Sequence, residues 1–105
     1  MDLDVLLKKL TTKFAFPEVN YKIDDQIPNV EVCLHLTPAQ INKVIAKASR
    51  LNDLITSCAN MVQISDSSIP MELLLSTSVR ASGSNELYIR TVQPMVKLLI
   101  EIIFD

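Results

Sequence analysis

The sequence holds a single glycine, Gly83, in 105 residues. That scarcity excludes the loops that cradle phosphate through repeated glycines, both the P-loop and the dinucleotide fingerprint. There is no tryptophan and only one histidine, His35. The two cysteines, Cys33 and Cys58, are too few and too far apart to make a disulfide framework. They read as reduced thiols, which sets the expected compartment as intracellular, cytoplasmic or nuclear. No Asn-x-Ser/Thr sequon is present, in keeping with that setting. Met1-Asp2-Leu3-Asp4 opens with acids where a signal peptide needs a basic region, so none is expected. The most apolar run, Leu98 to Phe104, is interrupted by Glu101. Even extended back to Met95 it is roughly half of a bilayer span, so no membrane association is expected.

Charge of neither sign dominates. Ten Lys and Arg stand against twelve Asp and Glu, a net charge of −2. Residues 1–52 carry seven basic and six acidic side chains, and residues 53–105 carry three and six. A phosphate-binding domain needs a basic excess that neither half has, which disfavours nucleic acid as a partner.

What the chain has in quantity is apolar surface: 49% of residues are hydrophobic and the mean hydropathy is +0.28, at the upper edge for a soluble domain. The length fits one domain over residues 1–105.

Periodicity assigns most of the elements. Leu3, Leu6, Leu7, Leu10 and Phe14 share a helical face over residues 2–14, capped by Asp2 and ended by Pro17. Tyr21-Lys22-Ile23 reads as a short edge strand followed by an Asp24-Asp25-Gln26 turn. Residues 30–36 alternate, with Val30, Val32, Leu34 and Leu36 on one face and Glu31, Cys33 and His35 on the other, the mark of a half-buried strand. Thr37-Pro38-Ala39-Gln40 is a capping box with proline in the first turn, and Leu36 and Ile41 can staple it. The spacing predicts one long helix from there to about Val62. Its apolar stripe includes Ile45, Leu54, Ala59 and Met61, too wide for a two-stranded coiled coil. Residues 63–70 read as a polar connector.

Residues 71–92 admit two readings. As strands, Met71, Leu73, Leu75, Thr77 and Val79 alternate with polar residues, Leu74 being the exception. Leu87, Ile89 and Thr91 do the same after an Ala81–Asn85 loop, making a β-hairpin. As helices, Glu86, Arg90, Gln93, Lys97 and Glu101 form a polar stripe. Ser76-Thr77-Ser78-Val79 is poor helix material and Pro94 would break a continuous helix, so the hairpin is preferred. Residues 94–104 make a final helix. The expected fold is therefore α+β: a small antiparallel sheet of about three strands, packed by a long central helix and a C-terminal helix. An all-α helical bundle is the alternative.

Candidate chemistry meets specific obstacles. Cys33 and His35 share a strand face, but a nucleophilic pair also needs an orienting group and an oxyanion hole, and neither is visible. Cys33, His35 and Cys58 are too few ligands and match no zinc spacing. Asp24-Asp25 is explained by its turn. The reading therefore assigns no catalytic residue, no metal site and no cofactor. Lys43, Lys47 and Arg50 form a basic stripe along the long helix that offers phosphate contacts. Tyr88 is the only aromatic placed to stack a base, and it stands alone. The strongest signal is the C-terminal segment, where Met95, Leu98, Leu99, Ile102, Ile103 and Phe104 leave little polar surface. An uncovered patch of a few hundred Å² there would drive association by several kcal/mol at roughly 25 cal/mol per Å². The expected function is a non-enzymatic protein-interaction module: a small subunit, adaptor or inhibitor of a larger complex. Its partner is another protein or a second copy of the chain, docking on that segment. The alternative is a nucleic-acid-associated domain using the basic stripe.

Overall fold

A computed structural model describes residues 2–105, and the architecture is α+β. Helix α1 spans Leu3–Phe14 and buries Leu3, Leu6, Leu7 and Leu10, the stripe its spacing predicts. The Asp2 carboxylate caps it, accepting from the Asp4 amide at 2.9 Å. It ends on Ala15, whose φ of 54° is left-handed. That conformation favours glycine, because a Cβ crowds the backbone there. Ala15→Gly is expected to raise stability by about 0.5–1 kcal/mol in chemical denaturation. A loss of stability would show that the lower chain entropy of alanine outweighs its strain.

Strands β1 (Glu18–Ile23) and β2 (Val30–His35) form an antiparallel hairpin. The capping box then forms as expected: Thr37 Oγ1 accepts from the Gln40 amide at 3.2 Å, and Gln40 Oε1 accepts from the Thr37 amide at 2.9 Å. The long helix it opens is not continuous. Helix α2 covers Pro38–Lys47, a 3₁₀ turn covers Ala48–Arg50, and α3 covers Leu51–Ser65. No proline or glycine marks the break; the tighter turn re-aims the chain so that α2 and α3 each lie against the C-terminal helix. As a result Ile55, Cys58, Ala59 and Val62 are buried while Ile45 and Met61 are exposed.

Residues 71–77 also differ from the expected strand. Met71–Leu75 form a short helix, α4, rather than the start of a strand. Leu74, the residue that broke the expected alternation, is the one wholly buried there, and Leu75 is exposed. Ser76 and Thr77 then cap α4. Each hydroxyl donates to a carbonyl of its last turn, Ser76 to Leu73 at 2.5 Å and Thr77 to Leu74 at 2.8 Å. Thr77 Oγ1 also shares a 2.6 Å hydrogen bond with the buried Thr91 Oγ1. The hairpin itself is present: β3 (Ser78–Ser82) pairs antiparallel with β4 (Glu86–Thr91). Its turn is Gly83–Asn85, shorter than the Ala81–Asn85 loop expected, and Asn85 rather than Gly83 takes the left-handed conformation, with φ 66°. Helix α5 follows over Gln93–Phe104.

The sheet has four strands in the order β1-β2-β4-β3, all neighbours antiparallel. Val30, Val32 and Leu34 of β2 and Leu87, Ile89 and Thr91 of β4 turn one face toward the helices, and all six are buried. Against this face lies α5, whose Met95, Val96, Leu99, Ile100, Ile103 and Phe104 are buried. Phe104 meets Phe14 and Phe16, with ring centroids 6.2 and 5.0 Å away. All the helical cover is on this side; the other face of the sheet is open.

Candidate functional site

Alternation decides what the open face displays, because side chains along a strand point to opposite sides in turn. With Val30, Val32 and Leu34 inward, β2 turns Glu31, Cys33 and His35 outward. The register places Glu18 of β1 and Glu86 of β4 opposite His35, one on each side. Cys33 lies between Asn20 and Tyr88, and Glu31 between Lys22 and Arg90. The outward row of β3 adds Ser78, Arg80 and Ser82.

Two charge networks form on this surface. Near the β1–β2 turn, the Arg90 guanidinium donates to Asp24 at 3.0 Å, and Lys22 pairs with Glu31 at 3.2 Å. The Gln26 amide and then the Arg90 guanidinium hold the Asp24 carboxyl below its ordinary range.

The other network centres on Glu86. Its Oε2 accepts from the Cys33 thiol at 3.1 Å and from the Tyr88 hydroxyl at 3.1 Å, and its Oε1 accepts from the Ser84 hydroxyl at 2.8 Å. His35 Nε2 lies 3.6 Å from the same Oε2 and 3.0 Å from Glu18 Oε2. Donation from Ser84, Cys33 and Tyr88 keeps the Glu86 carboxyl below its usual range. The same carboxylate pushes the Tyr88 phenol up to about 12. Arg80 stacks on the Tyr88 ring with its guanidinium carbon 4.6 Å from the centroid, so the ring is already covered by a side chain of its own domain.

The chemistry of Cys33 follows from these contacts. Burial and then the Glu86 carboxylate raise its pKa, which favours the thiol over the thiolate. A cysteine nucleophile needs the opposite environment, electropositive and thiolate-stabilising. The thiolate is also the form that binds a metal, so the proton held on Cys33 opposes either role unless a cation displaces it. Cys33, His35 and Glu86 each bring one ligand atom, all within 4.8 Å of one another. The second thiol, Cys58, is on α3 within the core, far from this face in role, and burial raises its pKa as well.

The residues singled out in the sequence fall elsewhere. Of the C-terminal set, Met95, Leu99, Ile103 and Phe104 are no more than 2% exposed, and Leu98 and Ile102 are half-buried. That segment is the centre of the core, and the surface it was expected to offer a partner is already covered by the sheet and by α1, α2 and α3. The basic stripe is also engaged internally. Lys43 Nζ donates to the Phe104 carbonyl at 2.8 Å, and Lys47 Nζ donates to the carbonyls of Ile102 and Ile103 at 2.9 and 2.7 Å. These are carbonyls of the last turn of α5, where a cation also complements the helix dipole. Arg50, on the 3₁₀ turn, is exposed and forms no ion pair among the described residues.

Glu86 and Glu18 were not singled out in the sequence. Alternation assigned His35 to the polar face, but only the strand register puts a carboxylate on each side of it.

No protein-family model, no curated protein and no solved structure matches the chain. Among the described residues no helix is long and apolar enough to cross a membrane.

Proposed function

We propose that this chain is a non-enzymatic protein-interaction module that pairs with a second copy of itself, edge to edge through β1. The observation that carries this reading is the inward row of β1. By register Val19, Tyr21 and Ile23 face the same way as the buried residues of β2. Helix α1 covers only the start of this row, where Val19 packs against the core and the Tyr21 hydroxyl donates to Asp4 at 2.7 Å, so Tyr21 is still 36% and Ile23 58% exposed on an edge strand. Ile27, in the turn that follows, is 66% exposed. The other edge, β3, offers only Val79 and Ala81 on that side.

The sequence of β1 is also self-complementary about Asn20. In a two-fold antiparallel pairing centred there, Glu18 of each copy stands opposite Lys22 of the other. Val19 stands opposite Tyr21, and the two Asn20 side chains meet on the dyad. Partners share a face in this register, so the charges lie on the open side and the apolar residues extend the core layer. An unpaired strand edge is a template for such addition, and a symmetric pair leaves that edge free in neither copy. The two free thiols, Cys33 and Cys58, suit a reducing intracellular compartment.

Each opposite-charge cross-strand pair is worth roughly 0.2–1 kcal/mol, and like charges there are unfavourable by a similar amount. Lys22→Glu creates two like-charge pairs across the dyad, so the dimer is expected to dissociate about tenfold more readily in sedimentation equilibrium. Adding Glu18→Lys to the same chain restores the opposite charges and is expected to restore the dimer. A wild-type chain that stays monomeric at high concentration, or a double variant no better than Lys22→Glu, would refute the reading. Pairing with the strand of an unrelated protein in place of self-association would refute it equally.

A further inference from the structure

We propose that Cys33, His35 and Glu86 form a binding site for a divalent transition-metal ion of the zinc class. None of the three ligands lies on β1; the only residue shared with the pairing of copies is Glu18, a neighbour of His35. Three features support it.

The first is geometry. Cys33 Sγ is 3.1 Å and His35 Nε2 is 3.6 Å from the same carboxylate oxygen, Glu86 Oε2. A tetrahedral ion with bonds of about 2.3 Å to sulfur and about 2.0 Å to nitrogen and oxygen separates its ligand atoms by roughly 3.3–3.5 Å. These two distances lie on either side of that separation, and the third, from Cys33 Sγ to His35 Nε2, is within 4.8 Å.

The second is the donor set. One thiol, one imidazole and one carboxylate select zinc, cobalt or a similar ion. Calcium and magnesium prefer all-oxygen shells. Three protein ligands leave a fourth position toward solvent.

The third is support. Cys33 and His35 sit on β2 and Glu86 on β4, the two central strands, so the ligand backbones are fixed by the sheet. Ser84 and Tyr88 donate to Glu86 and orient its carboxylate, the outer contacts a metal ligand needs. Glu18, beside His35, adds negative charge to balance the cation.

Binding is a substitution that balances. The Cys33 S–H bond breaks, a sulfur–metal bond forms, and the proton passes to solvent. Glu86 exchanges the thiol proton for the ion. His35 gives up its contact with Glu18 and presents the Nε2 lone pair, with its proton on Nδ1.

The test is titration of the chelator-treated chain with Co²⁺, followed by absorption. The expected result is a thiolate-to-cobalt charge-transfer band that saturates at one ion per chain and is displaced by Zn²⁺. Cys33→Ser is expected to abolish the band and Cys58→Ala to leave it. His35→Ala and Glu86→Gln are each expected to weaken Co²⁺ binding at least tenfold, circular dichroism confirming the fold of each variant. Absence of the band in the folded wild-type chain overturns the proposal. So does a band that survives Cys33→Ser, or an affinity that neither His35→Ala nor Glu86→Gln changes.

Discussion

Phe104→Ala is expected to destabilise the fold by about 3–5 kcal/mol, the range for truncating a buried phenylalanine. The ring is 2% exposed and closes a three-ring cluster with Phe14 and Phe16. Removing it strips partners from the end of α1 and the end of α5 at once, so little is left to collapse into the space. Domains of this size are stable by roughly 5–15 kcal/mol, so the variant should lose a large part of the total. Urea denaturation checks this directly. The result also separates two roles for the C-terminal segment. Were Phe104 a docking residue, alanine would leave the midpoint unchanged and weaken only association.

Lys47→Met is expected to destabilise by about 2 kcal/mol, the scale for a hydrogen bond to a charged group. Methionine keeps most of the aliphatic stem, so the loss isolates the ammonium. That ammonium serves the carbonyls of Ile102 and Ile103 and lies 3.2 Å from that of Asp105. Burial, then Arg50 and Lys43, lower its pKa, which marks what it takes to hold the charge against two other cations. Lys43→Met removes the neighbouring bond to Phe104 and is expected to weaken the same helix end. Thermal denaturation of both variants decides between a cap and a phosphate contact. A stripe kept for phosphate would leave the melting temperature untouched.

The two strands at the middle of the sheet were the most legible part of the sequence. Alternation from Val30 to Leu36 and from Glu86 to Thr91 reports burial on one side only, a strong local signal. The capping box at Thr37–Gln40 was equally plain because its bonds join residues three apart. Met71–Leu75 fits both periods, because Met71, Leu73 and Leu75 alternate as in a strand while Leu73, Leu74 and Leu75 are consecutive. Packing of Leu74 and the caps from Ser76 and Thr77 decided for helix. The break at Ala48–Arg50 left no local mark, since its cause is the docking of two helices on a third. The site was half legible. Cys33 and His35 are two residues apart on one face, whereas Glu86 reaches them only through the pairing of β2 with β4. The C-terminal apolar signal was plain in the sequence, and the fold places most of it in the core, leaving Leu98 and Ile102 half-buried. A helix apolar on nearly all sides is needed at the centre of a small core as much as at an interface.

The strand order β1-β2-β4-β3 also bears on how the chain reaches this state. Each outer strand joins its neighbour through a short turn, so both hairpins close cheaply in chain entropy. The seam between β2 and β4 instead joins segments separated by all of α2, α3 and α4, and closing so long a loop is slow. Two preformed halves meeting along one line describe that route. The contacts at Val32 and Ile89, in the middle of the seam, would then form late, and weakening them would speed unfolding more than it slows folding.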